Sequence, residues 1–317
     1  MKLSIPEALK SELPQTTFGK VLGVTPVVMT VVATLLAGLA SGEMTRAQYA
    51  RSLAAQQQSK AGDQWSFFQA KRLRSALQRS SLDLLQNTAL TRPVSQATVE
   101  GVLAGTEATS FLQSAGGKAA LDVLESGHLP VGLPVAIEIP QIKEVVRAIE
   151  ESKPDTEITA LVIPLQDPAI TEWLRTAREQ VSKLEVSLAP INGAIDQLEA
   201  QASRKEAAQQ RSPAIPSRAR DITAARLRYN VLRYDAEARL NQSVANLYEL
   251  QVRKSNLKAE RHHRRSQRFF LGMLAAQAAV IIATFSLAAR NKNLMWAIAA
   301  AAGLIAVGFA IYVFLYV

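Results

Sequence analysis

"QRFFLGMLAAQAAVIIATFSLAARNKNLMWAIAAAAGLIAVGFAIYVFLYV", residues 267–317, holds two apolar runs and little else. The runs 269–289 and 294–317 carry no charge. Each has about 20 residues or slightly more, enough for a helix to cross a hydrocarbon core of about 30 Å. Only "RNKN", 290–293, joins them, so they read as a helical hairpin in a bilayer. Trp296, Tyr312 and Tyr316 stand near the ends, where aromatic belts sit.

Working outward, a third run of this kind lies at 21–41, "VLGVTPVVMTVVATLLAGLAS". Gly38-Leu39-Ala40 would pass as a signal cleavage site, but the run and its polar leader are long for a signal peptide, and the reading retains it as a span. No acidic, basic or histidine residue lies inside any of the three runs. Such residues mark proton relays and ion pathways, so their absence argues against ion-coupled transport. Small residues abound there. Ala33, Ala37 and Ser41, the pair Gly38 and Gly42, and the tract 299–303 ending in Gly303 allow close helix approach, although alanine is also a common apolar filler.

The 317 residues have a mean hydropathy near zero, an average that hides apolar ends around a polar middle. There is no cysteine, hence no disulfide, thiol nucleophile or zinc–thiolate centre. His128, His262 and His263 are too few and too scattered for a convincing metal site. The net charge of +9 is concentrated locally. Arg253, Lys254, Lys258, Arg261, Arg264, Arg265 and Arg268 run straight into the second apolar run. That is a positive-inside flank in contact with lipid headgroups rather than a nucleic-acid surface. It places residues 42–268 in the cytoplasm, the N-terminus outside and Val317 inside.

The polar middle reads as helices. From 43 to 90 Gln, Ala, Arg, Lys, Ser and Leu dominate, so one helix leaves the membrane and continues. Within it stands "GDQWSFFQAKRLRSAL", 62–77. At about 100° per residue, Ala61, Trp65, Phe68 and Ala76 share one side. Ala70, Leu73, Leu77 and Leu84 share another, with Phe67 and Leu85 nearby. Apolar surface on two sides needs neighbours on two sides. The returning helix supplies one neighbour, and a second copy of the chain is expected to supply the other. From 174, Leu174, Ala177, Val181, Leu184, Leu188, Ile191, Ile195 and Leu198 step by three and four, a coiled-coil seam with Pro190 inside it. Ile222, Ala225, Tyr229, Leu232 and Ala236 begin the answering stripe, predicting an antiparallel hairpin with its tip at 212–217.

The organisation is therefore a tail at 1–20, spans at 21–41, 269–289 and 294–317, a membrane-proximal helix at 42–92, a small insertion at 93–167 and a coiled-coil hairpin at 168–268. The insertion is rich in Gly and Pro and is expected to hold short helices and loops, with "EITALVIPL", 157–165, equally readable as strand or helix. The fold class is an all-α membrane protein with three transmembrane helices, an elongated cytoplasmic helical and coiled-coil stalk, and a mostly helical insertion.

"DQWSFFQAK", 63–71, just after a first span, resembles the signature of a bacterial membrane family, domain of unknown function 4337. The closing basic helix and two-span hairpin also look like that family, so the resemblance covers roughly 21–90 and 240–317. It implies a bacterial inner-membrane location and three spans. It implies no activity and transfers no catalytic residue.

No nucleotide-binding, zincin or nucleophile-elbow motif is present, and "AGGK", 115–118, lacks the rest of a phosphate loop. The expected function is a homo-oligomeric membrane scaffold, without catalysis or cofactor, whose partners are lipid and itself. Trp65, Phe67, Phe68, Leu73, Leu77, Leu184, Leu188 and Ile195 are its packing residues. A channel lined by Thr25, Thr30 and Thr34 is one alternative, with the competing reading that these hydroxyls bond their own backbone. An adaptor for a soluble partner of unknown identity is another.

Overall fold

The computed structural model describes residues 17–103, 114–134, 137, 139–209, 218–289 and 292–316. Among them are eight helices and no strand: α1 Thr17–Thr88, α2 Gln96–Leu103, α3 Ala115–Ser126, α4 Pro140–Glu150, α5 Asp155–Val162, α6 Asp167–Gln209, α7 Arg218–Ala288 and α8 Lys292–Tyr316. The chain is all-α. α1, α7 and α8 each contain a stretch long and apolar enough to cross a membrane, the pattern of a multi-pass membrane protein.

α1 runs unbroken for 72 residues with Pro26 inside it. It stops before Pro93, whose ring disfavours a helical residue ahead of it. There the Arg92 amide donates to Asp221 Oδ1 at 2.8 Å, tying the chain beyond α1 to the start of α7. The segment 157–165 resolves as helix up to Val162, followed by a turn at 163–165. Asp155 and Glu157 sit in the first turn of α5, where acids complement the helix dipole, and Ile158 and Val162 share its buried side. Gly116 and Gly117 open α3 rather than forming a loop. Ser114 caps that helix by accepting from the Gly117 amide at 3.0 Å, and Gly127 ends it in the left-handed region at φ 66°. The expected hairpin tip, 212–217, lies outside the described residues.

The chain forms two compact units, the described residues of Met1–Ala55 with Lys254–Val317, and Gln56–Arg253. In the first unit three helices meet on small side chains. Ala33, Leu36 and Ala40 of α1 pack with Phe269 and Ala276 of α7 and with Ala306 and Val313 of α8. Large apolar residues point outward, among them Val27, Leu35, Leu271, Phe285, Leu304 and Phe314. Alanines inside with leucines and phenylalanines outside is the arrangement of helices solvated by lipid. Gly303 earns its place here. A Cβ on it would lie 2.6 Å from Met29 Sδ, so the Met29 side chain of α1 occupies the space that a larger residue on α8 would take.

In the second unit α7 is central. Its contacts with α6 run Thr223 to Glu199, Arg226 to Asp196 and Tyr229 to Asn192, so the two helices are antiparallel, as the coiled-coil stripe predicted. Leu184, Leu188 and Ile195 are buried against Ile222, Ala225, Tyr229 and Leu240. Each such large side chain contributes about 1.5–3 kcal/mol by leaving water. The 93–167 region does not stand apart. Val99, Val102, Ala120, Val123 and Leu124 of α2 and α3 join this same core.

Candidate functional site

Within the second unit α1 and α7 are antiparallel, which puts one side of 56–88 against α7 and, among the described residues, leaves most of the other side exposed. On the packed side Ala61 is fully buried, and Trp65 and Phe68 meet edge to face at 5.4 Å and 83°. The Trp65 indole donates to Glu249 Oε1 at 2.7 Å. Lys71 pairs with Glu237, and Arg72 and Arg79 both reach Asp235. Buried Ser75 donates to the Val231 carbonyl at 3.5 Å. Ser75, not Ala76, completes the buried side; Ala76 is exposed.

Among the described residues the opposite side is largely exposed. Phe67, Leu73, Leu77 and Leu84 are 54%, 62%, 56% and 65% exposed. Leu73 and Leu77 lie two residues either side of Ser75, about 200° around the helix from it. Two grooves border this side. One of about 480 Å³ is lined by Phe68, Arg72, Leu73, Ala76, Arg79 and Asp235. The other, about 520 Å³, lies among Phe67, Ala70, Lys71, Arg74, Arg178 and Val181. The Tyr234 ring gathers cations nearby, with the Arg233 guanidinium 4.3 Å and the Lys71 ammonium 5.7 Å from its centre. The structure thus divides the aromatic motif. Trp65 bonds the chain's own α7 and holds the half-buried Phe68 against its edge, Phe67 lines the groove shared with α6 and α7, and Leu73 and Leu77 stand exposed.

The other expected residues fall as follows. Ala33 is buried among the three helices and Ala37 is half-buried. Gly38 and Gly42 have no heavy atom within 4 Å of where a Cβ would stand, so none of the described residues uses their flatness. Thr25, Thr30 and Thr34 donate to the carbonyls of Val21, Pro26 and Thr30 at 2.7, 2.8 and 2.9 Å. Thr25 Oγ1 also accepts from the Trp296 indole at 3.1 Å. Arg261 is exposed. Arg264 pairs with Glu260 at 2.9 Å, and that hydrogen bond holds the Glu260 carboxyl below its usual range. Arg265 and Arg268 are half-buried, with Arg268 over the Tyr312 ring at 5.4 Å.

One constellation was not foreseen. Glu43, one turn beyond Ala40, is buried in the first unit. Its Oε1 accepts from Arg46 at 3.0 Å and its Oε2 from His262 Nδ1 at 2.6 Å. The Ser266 hydroxyl donates to the Ala40 carbonyl at 2.8 Å beside it. The available signal was a lone acid directly after an apolar run in a chain whose returning helix carries a histidine directly before one. Among the described residues no group of three or more histidines and carboxylates is placed to hold a metal ion.

Residues 18–113 match the family described as Domain of unknown function (DUF4337). No curated protein and no solved structure matches the chain. The matched segment contains the first apolar run and the whole aromatic motif. It extends past 90, where the resemblance was expected to stop, and it does not include 240–317, so the likeness of the C-terminal hairpin to the family is not carried by that match.

Proposed function

We propose that this chain, which carries a DUF4337 domain over residues 18–113, is a homo-oligomeric membrane scaffold without catalytic activity. One observation carries the reading. The 56–88 part of α1 packs on α7 through one side and leaves a leucine and phenylalanine stripe uncovered on the other. Ala70, Leu73, Leu77 and Leu84 keep the three-and-four spacing of a helix seam. Copies anchored by the same spans share one orientation, so identical stripes meet in parallel and in register. Gly38 and Gly42, open on the span part of the same helix, offer a second place for close approach. The threonine hydroxyls of α1 are already spent on backbone carbonyls, which weakens the case for a hydroxyl-lined pore.

The cluster from Arg253 to Arg268 favours a cytoplasmic position for 42–268, and the resemblance favours a bacterial inner membrane. Light scattering on the detergent-purified full chain tests the reading. A uniform assembly many times the 34.4 kDa chain is expected. Leu73→Glu with Leu77→Glu should reduce it to single chains of unchanged helicity. A wild-type monomer would overturn self-association, and the stripe would then belong to a different protein. Imaging the same peak shows whether a central pore exists.

A further inference from the structure

The described residues of the first unit carry more positive than negative charge. Residues 17–55 and 254–316 contain two acids, Glu43 and Glu260. Both are taken, Glu43 by Arg46 and His262 and Glu260 by Arg264. Arg265 and Arg268 are one turn apart on α7 and therefore share a side of it. Both are half-buried, and Arg265 Nε is buried with no hydrogen-bond partner. The Arg268 guanidinium lies over the Tyr312 ring at 5.4 Å, and Tyr312 stacks on Tyr316 at 5.6 Å. Stacking occupies the face of a guanidinium and leaves its in-plane N–H donors available. A partly buried cation needs an opposite charge close by. Among the described residues of this unit no free acid remains to supply it.

We propose that Arg265, Arg268 and Tyr312 form a binding site for the phosphate of an anionic phospholipid. The site stands directly before the apolar run that starts at Phe269 and near the end of α8, where arginine and tyrosine meet headgroups. Two arginine forks on one side of a helix offer the bidentate geometry that phosphate oxygens accept. Arg264 is not part of the site; it is exposed and serves Glu260. The inference rests on the membrane reading of the chain and holds whether or not copies associate.

The test uses the full chain in detergent, with phosphatidylglycerol titrated in and bound lipid counted by native mass spectrometry. Arg265→Gln with Arg268→Gln should weaken binding about fivefold for each arginine lost, roughly 25-fold together. Arg51→Gln with Arg264→Gln removes the same charge from exposed positions, where salt screens it from a lipid bound at Arg265 and Arg268, and should leave binding within about twofold. Equal losses in the two pairs would mean general attraction and overturn the site. Arg265→Lys with Arg268→Lys keeps both charges and guards against misfolding of the glutamine pair. Loss of binding there supports fork recognition, and unchanged binding overturns it. Phosphatidylcholine binding as tightly as phosphatidylglycerol would overturn the anionic class. Displacement of the lipid by millimolar inorganic phosphate would assign the site to a soluble anion instead.

Discussion

Trp65 donates its indole N–H to Glu249 Oε1 at 2.7 Å, joining residues 184 apart in sequence. The bond sets α1 in register on α7. With Lys71 on Glu237 and Ser75 on the Val231 carbonyl, it defines which side of α1 is closed. The open stripe is the geometric remainder of that choice.

Trp65→Phe tests the bond while keeping a ring against Phe68. A hydrogen bond to a charged group contributes about 1.5–3 kcal/mol, so the variant should lose that much stability in urea melts of the detergent-solubilised chain. Because this side faces the chain's own helix, the assembly mass should not change. A variant that melts as wild type but dissociates would reverse the assignment of the two sides.

Much of the fold was legible because it rests on period. The seam from Leu174 to Leu198 repeats by three and four, and each of its residues is buried except the half-buried Val181. The three apolar stretches were legible from length and charge alone. The segment 157–165 was not, since nine residues are too few to separate two periods. The candidate site was half legible. Periodicity showed that the 62–77 stretch had two apolar sides, but which side α7 would take depends on Glu249, Glu237 and Val231, about 150–190 residues away. Glu43 was not legible, because a single acid beside a span looks solvated until its partner is known.

Glu43 and His262 provide a test of that hidden contact. Removing a hydrogen-bond partner of a buried carboxylate leaves that charge uncompensated, at a cost of up to about 3–5 kcal/mol when burial is complete. His262→Ala should cost less than this, because Arg46 still serves the other carboxylate oxygen and His262 is partly exposed. Glu43→Gln added to His262→Ala should recover part of the loss, because no carboxylate remains to be stranded. Thermal melts of the four forms give the coupling directly. Additive losses would mean that the 2.6 Å contact contributes nothing to holding α1 against α7.

Tyr229 makes the second unit sensitive to alkali. Burial pushes its phenol from 10.0 up to about 12, against the opposing pull of Arg233. The neutral form is the one the fold keeps, donating to Asn192 Oδ1 at 2.6 Å. Below pH 10 both folded and unfolded chains hold the proton, and the contribution is complete. Between pH 10 and about 12 the unfolded chain releases it while the folded chain does not. The unfolded state then binds fewer protons, so stability falls as pH rises. Tyr229→Phe should cost about 1 kcal/mol at pH 8 through the lost hydrogen bond. The difference from wild type should shrink as pH climbs past 10, because only wild type carries this penalty. Lysine and arginine titrate in both forms and cancel in the comparison. Urea melts of both proteins at pH 8, 9, 10 and 11 decide the matter, and stability curves that stay parallel throughout would show that the Tyr229 phenol ionises alike in the folded and unfolded chain.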